Sequence, residues 1–465
     1  MRPPPSNADP LPSSPASERP AKDSLQSTSR MIKPSALTAA LLKRDFQLDI
    51  DLPEDRLCPI VPGRFVSVSF IFGAAQAHRP TLEYMLWVLQ LSLRTLGPTP
   101  APPTQTGLDI GTGSSCIYPL LGCRSYPSLH FVATDVDDHS LSYARHNVQQ
   151  NRLADQVDVR KVQASGSMFP AGDFDFTMCN PPFYSGADEV SDSLAAKELE
   201  PYAICTGGAN EMVTEGGEVA FVGRMVEESL TCGERIRWFS SLLGKYSSIA
   251  PLVAQLQRNS IENYTIKELS QGQTQRYILA WSLQSARLPS VTYHPRASEY
   301  TNQPLAKLLP PSNAHTYFCP PSLRPADVKE VLALTVDDLD GSDLGWREPS
   351  DPKVEVGILQ ASKNGWSRSA RRNGKGSAMA TDEDYTIGGA TGPSGIHKQG
   401  GLLLEAVVTI KMEGQQVKVE AEWTKGFDRA RKDWATLWAY LIRRLVERAK
   451  QMSTESGSAA DAMEQ

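Results

Sequence analysis

The chain has 465 residues, 40% hydrophobic and 22% charged, with a net charge of -6 at pH 7. That is ordinary globular composition with room for two or three domains. The acidic balance excludes a uniformly basic nucleic-acid binder, although a local basic groove remains compatible with it. The seven Cys form no CxxC pair and the seven His no HxxxH spacing, so reduced intracellular thiols and no metal site are expected.

The start, "MRPPPSNADPLPSSPASERP", has no apolar core of the secretory kind. Residues 1–33 are expected to be a disordered tail. "PSALTAALLKRDFQLDI" carries helical spacing after Pro34, and "LEYMLWVLQLSL" (82–93) is too short for a membrane span. The expected location is therefore the cytosol or nucleus. From 107 strands and helices alternate: "GLDIGTG", "SLHFVATD", the helix "DHSLSYARHNVQQNRL" with Leu141, Ala144 and Val148 on one face, then "VDVRKV" and "FDFTMCN". "RIRWFSSLLG" and a last strand near 275–283 follow, so a parallel, doubly wound sheet is predicted over 34–285. Residues 286–400 read as linker and partly ordered chain. At 401–450 a β-hairpin turning at Glu413-Gly414 and a long amphipathic helix make a small α+β module. Residues 451–465 read as a second tail.

The chemistry concentrates at two strand ends. After "LDI", Gly111-Thr112-Gly113 lets the backbone turn sharply and approach a ligand. The motif lacks the full GxGxxG, which disfavours a nicotinamide cofactor. Asp135 closes the next strand, where a carboxylate can accept hydrogen bonds from a ribose diol. Asp137 and Asp138 are available to cap the following helix. Together these features suggest an adenosine-containing cofactor.

The strand "FDFTMC" stops at Asn180-Pro181-Pro182-Phe183. An exocyclic base amine is a weak nucleophile because its lone pair is delocalised into the ring. The Asn180 side-chain oxygen and the Pro181 carbonyl, stiffened by two fixed φ angles, can accept its two hydrogens. The lone pair is then aimed at an electrophilic methyl, and Phe183 would stack on an extruded base. The alternative is a rigid turn with a buried Phe.

"ALLKRDFQLDIDLPEDRLCPIVP", "LDIGTGSSCIYPLLG", "MCNPPF", "EMVTEGGEVAFVGRMVEESL" and "QGQTQRYILAWS" resemble the methyltransferase-like protein 16 family of U6 small nuclear RNA adenine-N6 methyltransferases, from about Leu37 to Ser282. The resemblance implies a Rossmann-like α/β fold that uses S-adenosylmethionine, a structured RNA partner (U6 small nuclear RNA), and a nuclear location. It carries the catalytic role onto Asn180, Pro181, Pro182 and Phe183. Cofactor binding falls to Arg64, Asp109, Gly111, Thr112, Gly113, Asp135 and Asn180, with Asp135 in place of the Glu more usual there. Thr206–Gly208 and Glu215–Gly217 match rim loops, or else serve as turns and a helix cap.

Three departures stand out. Residues 65–81 separate "VPGR" from "LEYMLWV", as a surface insertion or a retained untranslated segment. The family's basic N-terminal segment has no match in 1–33. "QASGSM" replaces a loop carrying Thr and Lys. In the C-terminal module Lys411, Lys418, Lys425, Arg429, Arg431 and Lys432, with Trp423 and Trp434, are candidates for an RNA-facing patch, joined by "SRSARRNGKG" as a basic arm; the other reading is a solvated helix face and a linker. Rival functions are methylation of ribosomal RNA adenine or of a protein glutamine amide, and a non-catalytic RNA-binding relative.

Overall fold

Gln105–Ile110 (β1) is buried at every residue except half-buried Thr106, as expected for a strand covered on both faces. Leu129–Asp135 (β2) pairs with it in parallel on one side, and Val157–Lys161 (β3) pairs with β2. Phe174–Cys179 (β4) lies on the other side, followed by Ile236–Leu243 (β5), all parallel. The sheet then departs from the expected pattern. Tyr264–Gln271 (β6) and Thr274–Trp281 (β7) form an antiparallel hairpin, and β7 inserts antiparallel beside β5. The order is β3-β2-β1-β4-β5-β7-β6, so the sheet is mixed rather than wholly parallel. The computed structural model describes residues 34–57, 79–95, 104–182, 184, 186, 213–271, 274–290, 303–348, 351, 353–367 and 402–463.

Helices cover both faces. Pro34–Phe46 (α1), Arg79–Arg94 (α2), Ile117–Ser125 (α3) and Asp138–Gln150 (α4) pack on one, through Leu42, Val88, Leu121 and Val148. Leu141, Ala144 and Val148 are buried as their spacing predicts. Gly217–Cys232 (α5) and Ile249–Arg258 (α6) pack on the other through Val222, Met225 and Leu252. Arg79–Thr81, placed in the insertion by the motif comparison, form the first residues of α2. Arg64 and the rest of 65–81 lie outside the described residues, as does the tail 1–33.

The second sheet is larger than a hairpin. Leu404–Glu413 (β11) and Gln416–Lys425 (β12) turn through Gly414, whose φ is +63°. Residues expected to be linker supply Ala314–Phe318 (β8), Ser342–Trp346 (β9) and Val354–Ala361 (β10). The strands run β8-β12-β11-β10-β9, all antiparallel. After the short Gln303–Ala306 (α7), Pro325–Asp337 (α8) and Arg431–Met463 (α9) cover one face. Trp423, Trp434, Leu437 and Leu441 fill the core between them.

This packing corrects the proposed RNA-facing patch. Trp423 and Trp434 are interior residues, at 0% and 1% exposure. Lys411 pairs with Glu420, Lys418 with Glu413 and Glu420, and Lys425 with Glu405. Arg429 lies over the Phe427 ring and Arg431 pairs with Glu262. Lys432 is exposed, and of "SRSARRNGKG" only Ser367 lies within the described residues.

A clamp of polar groups joins the two sheets. Arg287 is buried, its Nη1 2.5 Å from an Asp428 oxygen and its guanidinium 4.1 Å from the Trp423 ring centroid. Its Nε donates to the Gly426 carbonyl at 2.8 Å and its backbone N–H to that of Thr424. Asp428 also accepts from the Glu262 N–H at 2.8 Å, beside the start of β6. Removing one member of a buried pair strands the other, at about 3–5 kcal/mol. Arg287→Ala should therefore lower the melting temperature and speed proteolysis of the C-terminal module. Arg287→Lys should rescue little, since it lacks the planar fork that serves Asp428, Gly426 and the indole together. Melting and digestion unchanged in both variants would refute the clamp.

Candidate active site

The carboxyl ends of β1, β2 and β4 meet on one side of the sheet, where open α/β folds bind ligands. β1 leads into Gly111 and Gly113, both left-handed at φ +72° and +62°, a conformation that favours glycine. The Gly111 and Thr112 N–H groups both donate to the Thr134 carbonyl at 2.9 Å, which folds the loop back over β2. A Cβ on Gly111 would meet nothing within 4 Å among the described residues.

Two carboxylates lie under this loop. Asp109 is 1% exposed; its Oδ2 accepts from the Thr112 hydroxyl at 2.7 Å, while buried Oδ1 has no hydrogen-bond partner among the described residues. Burial pushes its pKa up to about 7, opposed by the Thr112 hydrogen bond and helped by the charge of Asp135. Asp135 accepts from the Gly113 N–H at 2.9 Å through Oδ2 and from the Asp137 N–H at 3.0 Å through Oδ1. Its pKa is also raised, by burial, with those backbone hydrogen bonds opposing. Asp137 caps α4 by accepting from the Ser140 N–H at 2.8 Å, as the sequence suggests. Asp135, however, is held by backbone donors, the Gly113 and Asp137 N–H groups among them, and keeps only its remaining lone pairs for a ligand.

Asn180, the residue after β4, is exposed; Pro181 is buried and Pro182 half-buried. In the β1–β4 register Ile110 lies opposite Cys179. Gly111 and Asn180 are therefore the first residues beyond two adjacent strand ends. Phe183, Arg64 and Thr206–Gly208 lie outside the described residues. Beyond the motif Tyr184 bridges to Val213, and the Thr214 N–H donates to the Tyr184 carbonyl at 2.9 Å. Glu215–Gly217 make the turn into α5, Gly216 and Gly217 at φ +74° and +64°.

Residues that no motif singles out hold this end of the sheet together. Glu218, 2% exposed, accepts from the Gly244 and Lys245 N–H groups at 2.7 and 3.0 Å and from the Ser248 hydroxyl at 2.5 Å. It thereby fixes the β5–α6 turn, which sets Lys245 Nζ 5.8 Å from the Tyr184 ring centroid. Asn147 of α4 donates to the carbonyls of Asp51 and Ser114, each at 3.0 Å, tying the residues after α1 to the Gly-rich loop. Both side chains are buried and polar on otherwise apolar helix faces, the only trace such residues leave in a single sequence.

A family model described as RNA methyltransferase matches residues 29–285. A U6 small nuclear RNA (adenine-(43)-N(6))-methyltransferase of Schizosaccharomyces pombe is 34% identical over 343 residues, covering 73% of this chain and 80% of that protein. The RNA N(6)-adenosine-methyltransferase mettl16 of Danio rerio is 40% identical over 278 residues, 58% of this chain and 54% of that protein. The chain thus spans about half the length of this vertebrate relative. A crystal structure of the hMettl16 catalytic domain with MAT2A 3'UTR hairpin 1 is 38% identical, with a TM-score of 0.45, covering 54% of this chain and 79% of that one. The family match takes in more than half of the chain and the yeast relative is matched over most of its length, so the chain belongs to the RNA methyltransferase family of METTL16 and the U6 small nuclear RNA adenine-N6 methyltransferases.

Proposed function

We propose that this protein transfers a methyl group from S-adenosylmethionine to N6 of an adenosine in structured RNA, with U6 small nuclear RNA as its substrate, in the nucleus. One observation supports the reading above others: Gly111 and Asn180 leave adjacent parallel strands at paired positions. A ligand-cradling turn and an amine-recognising motif therefore share one edge of the sheet.

The residues present fit the cofactor. Among the described residues a Cβ on Gly111 would meet nothing within 4 Å and buried Asp109 Oδ1 has no donor, and Asp135 has lone pairs left for a ribose diol. Asp109, Gly111, Thr112, Gly113 and Asp135 would hold it, with Arg64 and Asn180 completing the set by family resemblance. The bound cofactor supplies a methyl made electrophilic by its sulfonium. The Asn180 side-chain oxygen and the Pro181 carbonyl accept the two N6 hydrogens and turn the amine lone pair out of conjugation. Pro181 and Pro182 hold that pair of acceptors still, because their φ angles are fixed. Phe183 is assigned the face of the extruded base. No general base is required, since the amine sheds its proton to solvent after transfer. The adenosine must leave its stack, which favours a loop or bulge.

Methylation of U6 RNA followed by nucleoside analysis tests this. Wild type should form N6-methyladenosine, and Asn180→Ala should lose ~100-fold or more of that activity while still binding cofactor. Equal product from both proteins would remove Asn180 from the mechanism. A pH series tests Asp109. Its native pKa near 7 lies above the unfolded value of about 3.9. The stability gained by keeping it neutral is thus full below about pH 4 and lost as pH rises through 7. A ligand that donates to Oδ1 favours the ionised form. Wild-type affinity for S-adenosylmethionine, measured by calorimetry, should therefore climb from pH 6 to pH 8, and Asp109→Asn should flatten the climb. A flat wild-type profile would separate Asp109 from the cofactor.

A further inference from the structure

The backbone ladder between β4 and β5 is short. It holds Phe174 opposite Ile236 and Phe176 opposite Trp238, and no later pair is formed between them. Beyond it the strands are joined by side chains. The Ser240 N–H donates to the Thr177 hydroxyl at 3.0 Å, and the Ser240 hydroxyl donates to the Thr177 carbonyl at 2.5 Å. The Tyr84 hydroxyl, delivered by α2 and fully buried, stands between the strands, 2.9 Å from Ser240 Oγ. It also accepts from the Cys179 N–H at 3.2 Å and reaches the Cys179 carbonyl, part of the peptide bond to Asn180, at 3.4 Å.

The direction of these bonds is determined. The single hydroxyl hydrogen of Ser240 is committed to the Thr177 carbonyl, so between Tyr84 and Ser240 the donor is Tyr84, whose hydroxyl lies nearer Ser240 Oγ at 2.9 Å than the Cys179 carbonyl at 3.4 Å. The Tyr84 oxygen then receives the Cys179 N–H. The result is a one-way chain, Cys179 N–H to Tyr84 O–H to Ser240 O–H to the Thr177 carbonyl, in which each bond polarises the next. It satisfies the last N–H of β4 without a ladder partner and fixes the Cys179 backbone, one residue before Asn180. The Tyr84 ring is held edge-on by Tyr118, with centroids 5.5 Å apart.

We propose that Tyr84 is a positioning residue for methyl transfer. Its hydroxyl wedges β4 from β5 and sets the plane of the peptide that carries Asn180, so that the Asn180 oxygen and the Pro181 carbonyl face the amine. The inference rests on the functional reading of Asn180 above. Tyr84 touches neither substrate nor cofactor; it acts through the Cys179 backbone. Misplacement of reacting groups by about 1 Å can cost roughly 100-fold in rate, so loss of one hydroxyl here should appear in turnover rather than in binding.

The test compares Tyr84→Phe, Ser240→Ala and Thr95→Val. Thr95 is the control: its hydroxyl accepts the Trp238 indole N–H at 3.1 Å, another buried bond between the α2 segment and β5, but remote from Asn180. Single-turnover methylation of U6 RNA, dissociation constants for S-adenosylmethionine and RNA, and melting temperature are measured on the full chain. Tyr84→Phe should lower the single-turnover rate about 10- to 100-fold with both dissociation constants within about two-fold of wild type. Ser240→Ala should fall in the same direction by less. Thr95→Val should lose comparable melting temperature and keep its rate. Unchanged turnover in Tyr84→Phe overturns the proposal. So does a loss of turnover that tracks melting temperature across all three variants, or one accompanied by equal loss of cofactor binding. Inactivity of wild type on any RNA would instead refute the functional reading. In that event amide exchange at Cys179 decides on Tyr84: faster exchange in Tyr84→Phe but not in Thr95→Val supports the positioning, and equal exchange overturns it.

Discussion

Gly107 sits at the centre of β1 with Phe131 of β2 and Phe176 of β4 directly opposite it in register. The two rings meet edge to face across it, their centroids 5.7 Å apart. A Cβ on this glycine would lie 2.6 and 2.7 Å from their atoms, so three strands close-pack only because one position carries no side chain. That lock decides the rest. It places Ile110 opposite Cys179, and hence Gly111 beside Asn180. A slip of one residue would exchange Met178, buried beneath α2 and α3, with Cys179, buried toward α5 and α6. Both faces of β4 are covered, so the slip has no compensating solvent face.

Much of this half was legible because its strands are continuous apolar runs stopped by unmistakable breakers. "GLDIGTG" and "FDFTMCNPP" announce both strand and end, and α4 declares its buried face by spacing. The β6–β7 hairpin was not legible as such. "YTIKELSQ" mixes Lys267, Glu268 and Gln271 into an edge strand, where polar residues are tolerated on the exposed side, and antiparallel insertion beside β5 leaves no local mark. β9 and β10 were hidden by glycines: Gly345 and Gly357 break the alternation. Gly357 is required by packing, since a Cβ there would come within 3.0 Å of Leu344 and Trp346.

The candidate site divides the same way. Motif residues were readable because their chemistry needs particular side chains at strand ends. Tyr84, Ser240, Glu218 and Asn147 were not, because a buried Tyr or Asn on an apolar helix face looks like core until its partners are known. The cationic and aromatic residues of the C-terminal module show the converse. Lys and Trp interleaved in sequence suggest a nucleic-acid surface, but a strand sends alternate residues to opposite faces. Trp423 therefore points into the core, while Lys411 meets Glu420 and Lys418 meets Glu413 across the ladder.

The clamp between the sheets has a consequence for how the two halves share work. Arg287, Asp428, Arg431 and Glu262 gather at the start of β6, where Tyr264 pairs with Trp281 and Trp281 with Phe239, the first residue of β5 to pair with β7. Parallel β5 ends at the ligand side, so this junction lies at the opposite end of the sheet from Gly111 and Asn180. The described residues of the module thus secure the antiparallel edge at the end of the sheet away from Gly111 and Asn180. That edge needs securing, because β6, like β3 at the other edge, pairs with a strand on one side only among the described residues. The order of the carboxyl ends is set from within the first domain by the glycine lock, the two prolines and the hydroxyl chain beneath them.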